Sequence, residues 1–113
     1  MEELCEILAR YRFNHTSEVE LQDGVAEVLG RHGLAFEREA ALDGRDRIDF
    51  LVGATGIEIK VDGSLSLVTR QIHRYLQCER VAGIVVLTSR RKHANIPHEI
   101  SKKPVRVLWV SPL

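Results

Sequence analysis

The sequence predicts an α/β domain with a mixed central β-sheet flanked by helices. Two helix-like segments precede three strand-like segments, and a third helix then leads to a buried apolar run and a last strand. This order, α-α-β-β-β-α-β-β, needs both antiparallel hairpins and a parallel crossover, which is typical of a mixed sheet. The length of 113 residues is that of one domain, so we predict a single unit over residues 1–113.

The first two helices are predicted from apolar residues at helical spacing. Over residues 3–11 these are Leu4, Ile7, Leu8 and Tyr11. Ser17 with Glu20 three residues later is typical of a capping box, and the helix that it opens should end near residue 32, beside Gly30 and Gly33. The buried stripe of this second helix is predicted to contain Leu21, Val25, Val28 and Leu29.

Three strands follow, separated by turns that contain glycine. We place them at residues 34–42, 48–52 and 57–61. The last two are predicted to form a hairpin across the segment from Gly53 to Gly56. Side chains alternate along a strand, so Asp49 leaves the apolar face of the second strand. That apolar face is predicted to carry Ile48, Phe50 and Val52.

The second half of the chain contributes a helix and two strands. Asp62-Gly63 ends the third strand, and spaced apolar residues predict a helix over residues 65–78. Residues 83–88 form a continuous apolar run, which indicates a strand buried on both faces at the centre of the sheet. A basic loop over residues 89–104 is expected before the last strand at 105–110.

Composition excludes some classes of protein and leaves others open. Lys plus Arg (16) balance Asp plus Glu (16), so no overall positive charge indicates a nucleic-acid partner. Cys5 and Cys78 lack metal-ligand spacing, and we expect reduced thiols in a cytoplasmic protein. Neither a signal peptide nor a membrane-spanning run is expected. A chain this short has a thin core, so a homodimer is expected as a way to bury more surface.

Three charged residues of the predicted hairpin share one face. With the turn at residues 53–56, Asp49 lies opposite Lys60, and Glu58 points to the same side. Two carboxylates at this separation can share Mg²⁺ through their oxygens, while an ammonium can orient water or offset phosphate charge. Alternatively, both carboxylates are solvated on a wet face of the sheet and Lys60 only pairs with Asp49.

Glu18 is a further acidic candidate. Helical geometry places it within about 20° of Val25 and Leu29, on the buried stripe of the second helix. A carboxylate buried without a partner is costly, so Glu18 is expected to serve the site directly or through a neighbour. The other interpretation is that Glu18, in the first turn, reaches solvent or an arginine. Glu20 points to the opposite side and is assigned to the cap.

Taken in order, these motifs resemble the PD-(D/E)XK nuclease superfamily. The matching elements are Glu18 on a helix, Arg47-Ile48-Asp49-Phe50, Glu58-Ile59-Lys60 on the next strand, and Gln71-Ile72-His73-Arg74-Tyr75 on the following helix. The likeness runs from about Ser17 to Thr88, with Ile48 where the family has its proline. The length and the Ser17–Leu21 segment look like small Holliday-junction resolvases and VRR-Nuc domains, and Gln71 with Tyr75 looks like the Q-x-x-x-Y element of RecB-like nucleases.

The resemblance implies a restriction-endonuclease-like core and Mg²⁺-dependent hydrolysis of DNA phosphodiesters, with Mn²⁺ able to substitute. The implied metal ligands are Asp49, Glu58, the carbonyl of Ile59, and Glu18. Lys60 would position the attacking water or help to deprotonate it. Gln71, supported by Tyr75, would orient that water or a phosphate. By spacing alone Gln71 is as readily an exposed polar residue and Tyr75 a core residue.

Basic residues late in the chain are candidates for phosphate contacts. They are Arg70, Arg74, Arg90, Arg91, Lys92, Lys102 and Lys103. A solvated basic surface is the other interpretation. No reader motif is recognisable, so the expected partner is DNA with a junction, flap or end. The five histidines show no zinc-type pairing and are not expected to bind metal. The alternative function is a non-catalytic nucleic-acid-binding or oligomerisation module of the same fold.

Overall fold

Helices cover both faces of a six-stranded mixed sheet in the computed structural model, which describes residues 1–110. The helices are α1 (Glu2–Ala9), α2 (Glu18–Arg31) and α3 (Leu65–Leu76). The strands are β1 (Glu37–Ala41), β2 (Arg47–Val52), β3 (Thr55–Lys60), β4 (Gly83–Thr88), β5 (Glu99–Ile100) and β6 (Lys103–Trp109). A 3₁₀ turn spans Arg91–Asn95. The predicted α/β class with a mixed sheet is confirmed.

The strand order is β1-β2-β3-β4-β6-β5. The first three strands pair antiparallel, β4 pairs parallel with both β3 and β6, and β5 pairs antiparallel with β6. Every residue of β4 is buried, which explains its unbroken apolar sequence. The predicted central position of this strand is confirmed.

Two hydrophobic clusters hold the helices on the sheet. The cluster under α1 and α2 contains Leu4, Leu8, Leu21, Val25, Leu29, Phe50, Ile57, Ile59, Val85 and Leu87, among others. The cluster under α3 contains Ile48, Leu51, Val68, Ile72, Tyr75, Leu76, Ile84, Val86 and Val105, among others. We call these sides the α2 face and the α3 face. The stripe predicted for α2 is buried as expected.

The hairpin of β2 and β3 has a tighter turn than the sequence predicted. Val52 pairs with Thr55 and Phe50 with Ile57, so the turn consists of Gly53 and Ala54 only. Gly53 has φ +60°, a conformation that glycine adopts without steric cost and that two-residue hairpin turns use. The turn predicted at residues 53–56, which would pair Val52 with Ile57, is therefore two residues too long. A shift of two keeps each side chain on its face, because side chains alternate with period two.

β1 and β2 change faces halfway along their length. Phe50 packs on the α2 face, whereas Ile48 packs on the α3 face, so the prediction that they share one face is wrong for Ile48. Their partners on β1 are Arg38 and Ala40. Between these partners Glu39 has φ +52°, a left-handed conformation that breaks the alternation. The change of face therefore occurs at Glu39 in β1 and at Asp49 in the neighbouring strand β2.

The predicted basic loop is more ordered than expected. It contains the 3₁₀ turn and the short strand β5, and β6 starts at Lys103, two residues before the predicted start. Ser101 and Lys102 both have positive φ, as the turn between β5 and β6 requires. The Nζ of Lys103 donates to the carbonyls of Leu76, Cys78 and Val81 at 2.7–3.2 Å. A role for Lys103 in phosphate binding is therefore wrong.

Both cysteines, Cys5 and Cys78, are free and buried. Within residues 1–110, none of the helices has the length and apolar character needed to cross a membrane.

Candidate active site

Two carboxylates occupy the place where the ladder between β2 and β3 would continue beyond Phe50 and Ile57. The backbone N–H of Asp49 donates to Oε1 of Glu58 at 3.2 Å. The backbone N–H of Ile59 donates to Oδ2 of Asp49 at 2.7 Å. These side chains thus accept hydrogen bonds that main-chain carbonyls accept elsewhere in the sheet. Extending the observed register places Asp49 opposite Glu58, and not opposite Lys60 as the sequence predicted.

Glu58 is buried on the α3 face, where the side chains of Lys60 and Tyr75 contact its carboxylate. Its Oε2 lies 3.4 Å from Nζ of Lys60, whose side chain is 17% exposed. The hydroxyl of Tyr75 donates to the same oxygen at 3.5 Å. Nε2 of Gln71 in turn donates to the Tyr75 hydroxyl at 2.8 Å. Gln71 therefore reaches the carboxylate through Tyr75, which joins core packing with a polar contact.

Burial and mutual repulsion make two negative charges on this carboxylate pair unfavourable. Burial, followed by the charge of Asp49, raises the pKa of Glu58 from 4.5 to about 8, with Lys60 opposing the shift. Burial also raises the pKa of Asp49, although the Ile59 N–H opposes it. The pKa of the Tyr75 hydroxyl is raised by burial and by the charges of both carboxylates. At neutral pH Tyr75 is thus a hydrogen-bond donor.

α2 reaches the pair through Gln22, which sequence reasoning missed. Nε2 of Gln22 donates to Oδ1 of Asp49 at 3.1 Å, and its Oε1 accepts from Arg38 at 3.5 Å. Gln22 follows Glu18 by one helical turn, so both side chains lie on the same face of α2. The amide fixes one carboxylate oxygen of Asp49 without adding a charge.

Glu18 is half-buried in the first turn of α2, and its negative charge contributes to raising the pKa of Asp49. It does not complete a compact ligand set, since no three His, Cys, Asp or Glu side chains among residues 1–110 are close enough to hold a metal. Glu20 is exposed, and its N–H donates to Oγ of Ser17 at 3.2 Å, as a cap requires. The two glutamates therefore lie in different environments.

Five of the predicted phosphate-contacting residues are exposed on α3 or at the 3₁₀ turn, namely Arg70, Arg74, Arg90, Arg91 and Lys92. Arg70 lies beside this turn on α3, and Arg74 is paired with Asp46 at 3.3 Å. Arg90 is within 3.5 Å of Asp62 and donates from Nε to the carbonyl of Val61. The guanidinium of Arg91 lies 4.3 Å from the centre of the Trp109 ring. Lys92 follows in the same turn.

His93 fastens this turn to the rest of the molecule. The side chain is fully buried, with Nδ1 2.6 Å from the Thr88 hydroxyl and Nε2 2.8 Å from the carbonyl of Gly63. Since a carbonyl only accepts, Nε2 carries a proton and donates a hydrogen bond to Gly63. The contacts tie the turn to both β4 and the segment after β3, so its basic residues have a fixed position relative to Lys60.

No family model matches the chain, and neither the curated proteins nor the solved structures contain a significant match.

Proposed function

We propose that the protein is a metal-dependent deoxyribonuclease with a restriction-endonuclease-like core. One observation carries the proposal: Asp49 and Glu58 meet where β2 and β3 separate, with the ammonium of Lys60 3.4 Å from Glu58. A purely structural use of three charged groups at this depth is unfavourable, because charges removed from water lose more than their pairing regains. Functional sites are where such arrangements recur.

The donor set fits a hard divalent cation. Asp49 and Glu58 offer carboxylate oxygens, which Mg²⁺ and Mn²⁺ prefer. Burial raises the pKa of both groups, and a bound cation would stabilise their charged forms. We propose the carbonyl of Ile59 as a further ligand, with Glu18 contributing directly or through a coordinated water. When bound, such a cation lowers the pKa of a coordinated water and neutralises charge on a phosphate.

The chain's own residues then position the reactants. Lys60 holds the attacking water against the phosphorus or stabilises the charge that develops on the phosphate. Gln71, fixed by Tyr75, offers its remaining amide groups to the same water or to a phosphate oxygen. Gln22 keeps Asp49 in place. Water adds to phosphorus and the bond to the 3′ oxygen breaks, which leaves a 5′-phosphate and a 3′-hydroxyl.

The substrate that we propose is DNA, with a junction, flap or end as the target. Exposed arginines beside the 3₁₀ turn provide positive charge for phosphate contacts. Contacts to phosphates carry no sequence information, so the shape of the DNA is the proposed basis of selectivity. The same proposal includes a homodimer that makes two cuts. It also includes a cytoplasmic location, where the cysteines stay reduced.

A second candidate is a non-catalytic nucleic-acid-binding module. It is favoured by the lack, among residues 1–110, of a ready group of three metal-binding side chains. Such a module keeps the basic residues and uses Glu58 and Lys60 only as a buried ion pair. Cleavage assays with variants of this pair separate the two candidates.

Single-turnover cleavage of linear, nicked, flapped and four-way DNA with Mg²⁺ or Mn²⁺ tests the enzyme. Glu58→Gln and Lys60→Met are each expected to lower the rate by at least about 100-fold, since each removes a group that acts on the reactants. Glu79→Gln, an exposed glutamate beyond α3, is the matched control and should keep the wild-type rate. Wild-type rates in both site variants, with normal melting curves, would reject the proposal. Metal-dependent binding of DNA without cleavage by the wild type would favour the second candidate.

A further inference from the structure

The end of β6 carries an aromatic side chain in an unusual setting. Trp109 is 43% exposed, and it is the only tryptophan in the sequence. The guanidinium of Arg91 stacks over its ring at 4.3 Å from the ring centre, within the range of a cation–π contact. Tryptophan and arginine are both enriched where proteins bind other molecules.

The register of the parallel strands relates this ring to the proposed catalytic residues. Lys60 pairs with Thr88, and Thr88 pairs with Trp109, so the three residues form one row across β3, β4 and β6. Residues in such a row project from the same face of the sheet, here the α3 face. Two strand spacings separate the Cα atoms of Lys60 and Trp109 by about 10 Å. The ring therefore lies at the same end of the parallel strands as Lys60, at their carboxyl ends.

A cleft of about 320 Å³ opens beside the ring. It is lined by Thr88, Arg90, Arg91, Ala94, Val107 and Trp109. Val107, Ala94 and the ring supply apolar surface, while two guanidinium groups supply positive charge at the rim. The cleft has a fixed shape, because the buried contacts of His93 hold the 3₁₀ turn in place. A planar, weakly polar group attached to phosphates matches both parts of this lining.

The geometry points to this cleft as a binding site for an unpaired nucleobase of a DNA strand, with Arg90 and Arg91 contacting the adjacent phosphates. This inference rests on the proposed function and specifies its substrate, a strand with single-stranded nucleotides next to the scissile bond. Aromatic rings and arginines bind single strands through the π-faces of the bases, which a duplex keeps stacked inside. The single-stranded part of a flap or an end meets this requirement.

Binding can be measured without cleavage. The Glu58→Gln variant of the full chain, in EDTA, is titrated with a single-stranded 12-mer, a hairpin duplex of equal strand length, and a free nucleoside triphosphate. We expect the 12-mer to quench the fluorescence of Trp109 and to bind at least tenfold more tightly than the hairpin or the free nucleotide. Anisotropy of an end-labelled 12-mer extends the measurement to variants of the tryptophan.

In the same background, Trp109→Leu and Arg91→Ala are each expected to weaken 12-mer binding by about tenfold, the usual effect of removing one stacking partner. Trp109→Phe should retain most of the affinity, and Arg31→Ala, at the distant end of α2, serves as the control for loss of charge. Unchanged affinity in Trp109→Leu, or equal affinity for hairpin and single strand, would overturn the inference. Because no metal is present, these outcomes are independent of whether the wild type cleaves DNA.

Discussion

At the scale of single residues, Glu58 combines burial with an ionisable group, so folding and proton binding are linked. Its pKa is raised from 4.5 to about 8 by burial and by Asp49. Between these values the folded chain keeps a proton that the unfolded chain releases. The free energy of unfolding therefore falls as the pH rises through this range, by up to about 1.4 kcal/mol per pH unit.

Glu58→Gln is expected to reduce this slope and to be more stable than the wild type above pH 8, because glutamine does not ionise. The measurement is denaturant unfolding in EDTA between pH 5 and pH 9. Glu79→Gln should retain the wild-type slope. An unchanged pH dependence in Glu58→Gln would show that the carboxylate is not the group that titrates.

The two glutamates at the start of α2 are expected to differ in function. Glu18 is half-buried within electrostatic reach of Asp49, whereas Glu20 is exposed at the cap. Glu18→Gln should lower the single-turnover rate at saturating Mg²⁺ by at least about tenfold, equivalent to roughly 1.4 kcal/mol, with the melting temperature hardly changed. Glu20→Gln should keep its rate. Loss of activity in Glu20→Gln alone would mean that the active-site glutamate must be reassigned.

At the scale of secondary-structure elements, the left-handed residue in β1 predicts an unusual effect of glycine. A residue other than glycine in this conformation costs about 1–2 kcal/mol, part of which glycine recovers. Glu39→Gly should therefore raise the free energy of unfolding by about 0.5–1 kcal/mol. Ala41→Gly, at an ordinary position of the same strand, should lower it by a similar amount. Urea unfolding of both variants is the measurement, and equal destabilisation would contradict the strained conformation at Glu39.

The order of the three helices and of every strand except the two-residue β5 was predictable from the sequence, because helical and strand periodicities are local. The hairpin register was not, since it depends on whether Thr55 and Gly56 belong to the turn or to β3. Asp49 and Glu58 were nevertheless placed together, because an error of two residues keeps their faces. The contact of Gln22 with Asp49 spans 27 residues and two elements, so only tertiary structure reveals it.

At the scale of the whole molecule, the total accessible area gives no independent reason to expect a second copy of the chain. The accessible area is 6297 Å², about what the scaling rule gives for a monomer of 12.8 kDa. If two copies act together, we expect DNA to assemble them. Sedimentation at micromolar concentration is expected to show single chains alone and two chains on four-way DNA. Single chains under both conditions would contradict the dimer.

The carboxylates of Asp49 and Glu58 accept hydrogen bonds from the main chain of the hairpin, and this restricts their rotation. The conformational entropy of both side chains is therefore lost when the sheet forms, not when a ligand arrives. A cation bound between them would meet oxygens already held in position, and less side-chain entropy would then be lost on binding. The two carboxylates are preorganised because, where β2 and β3 separate, they accept the hydrogen bonds of main-chain N–H groups.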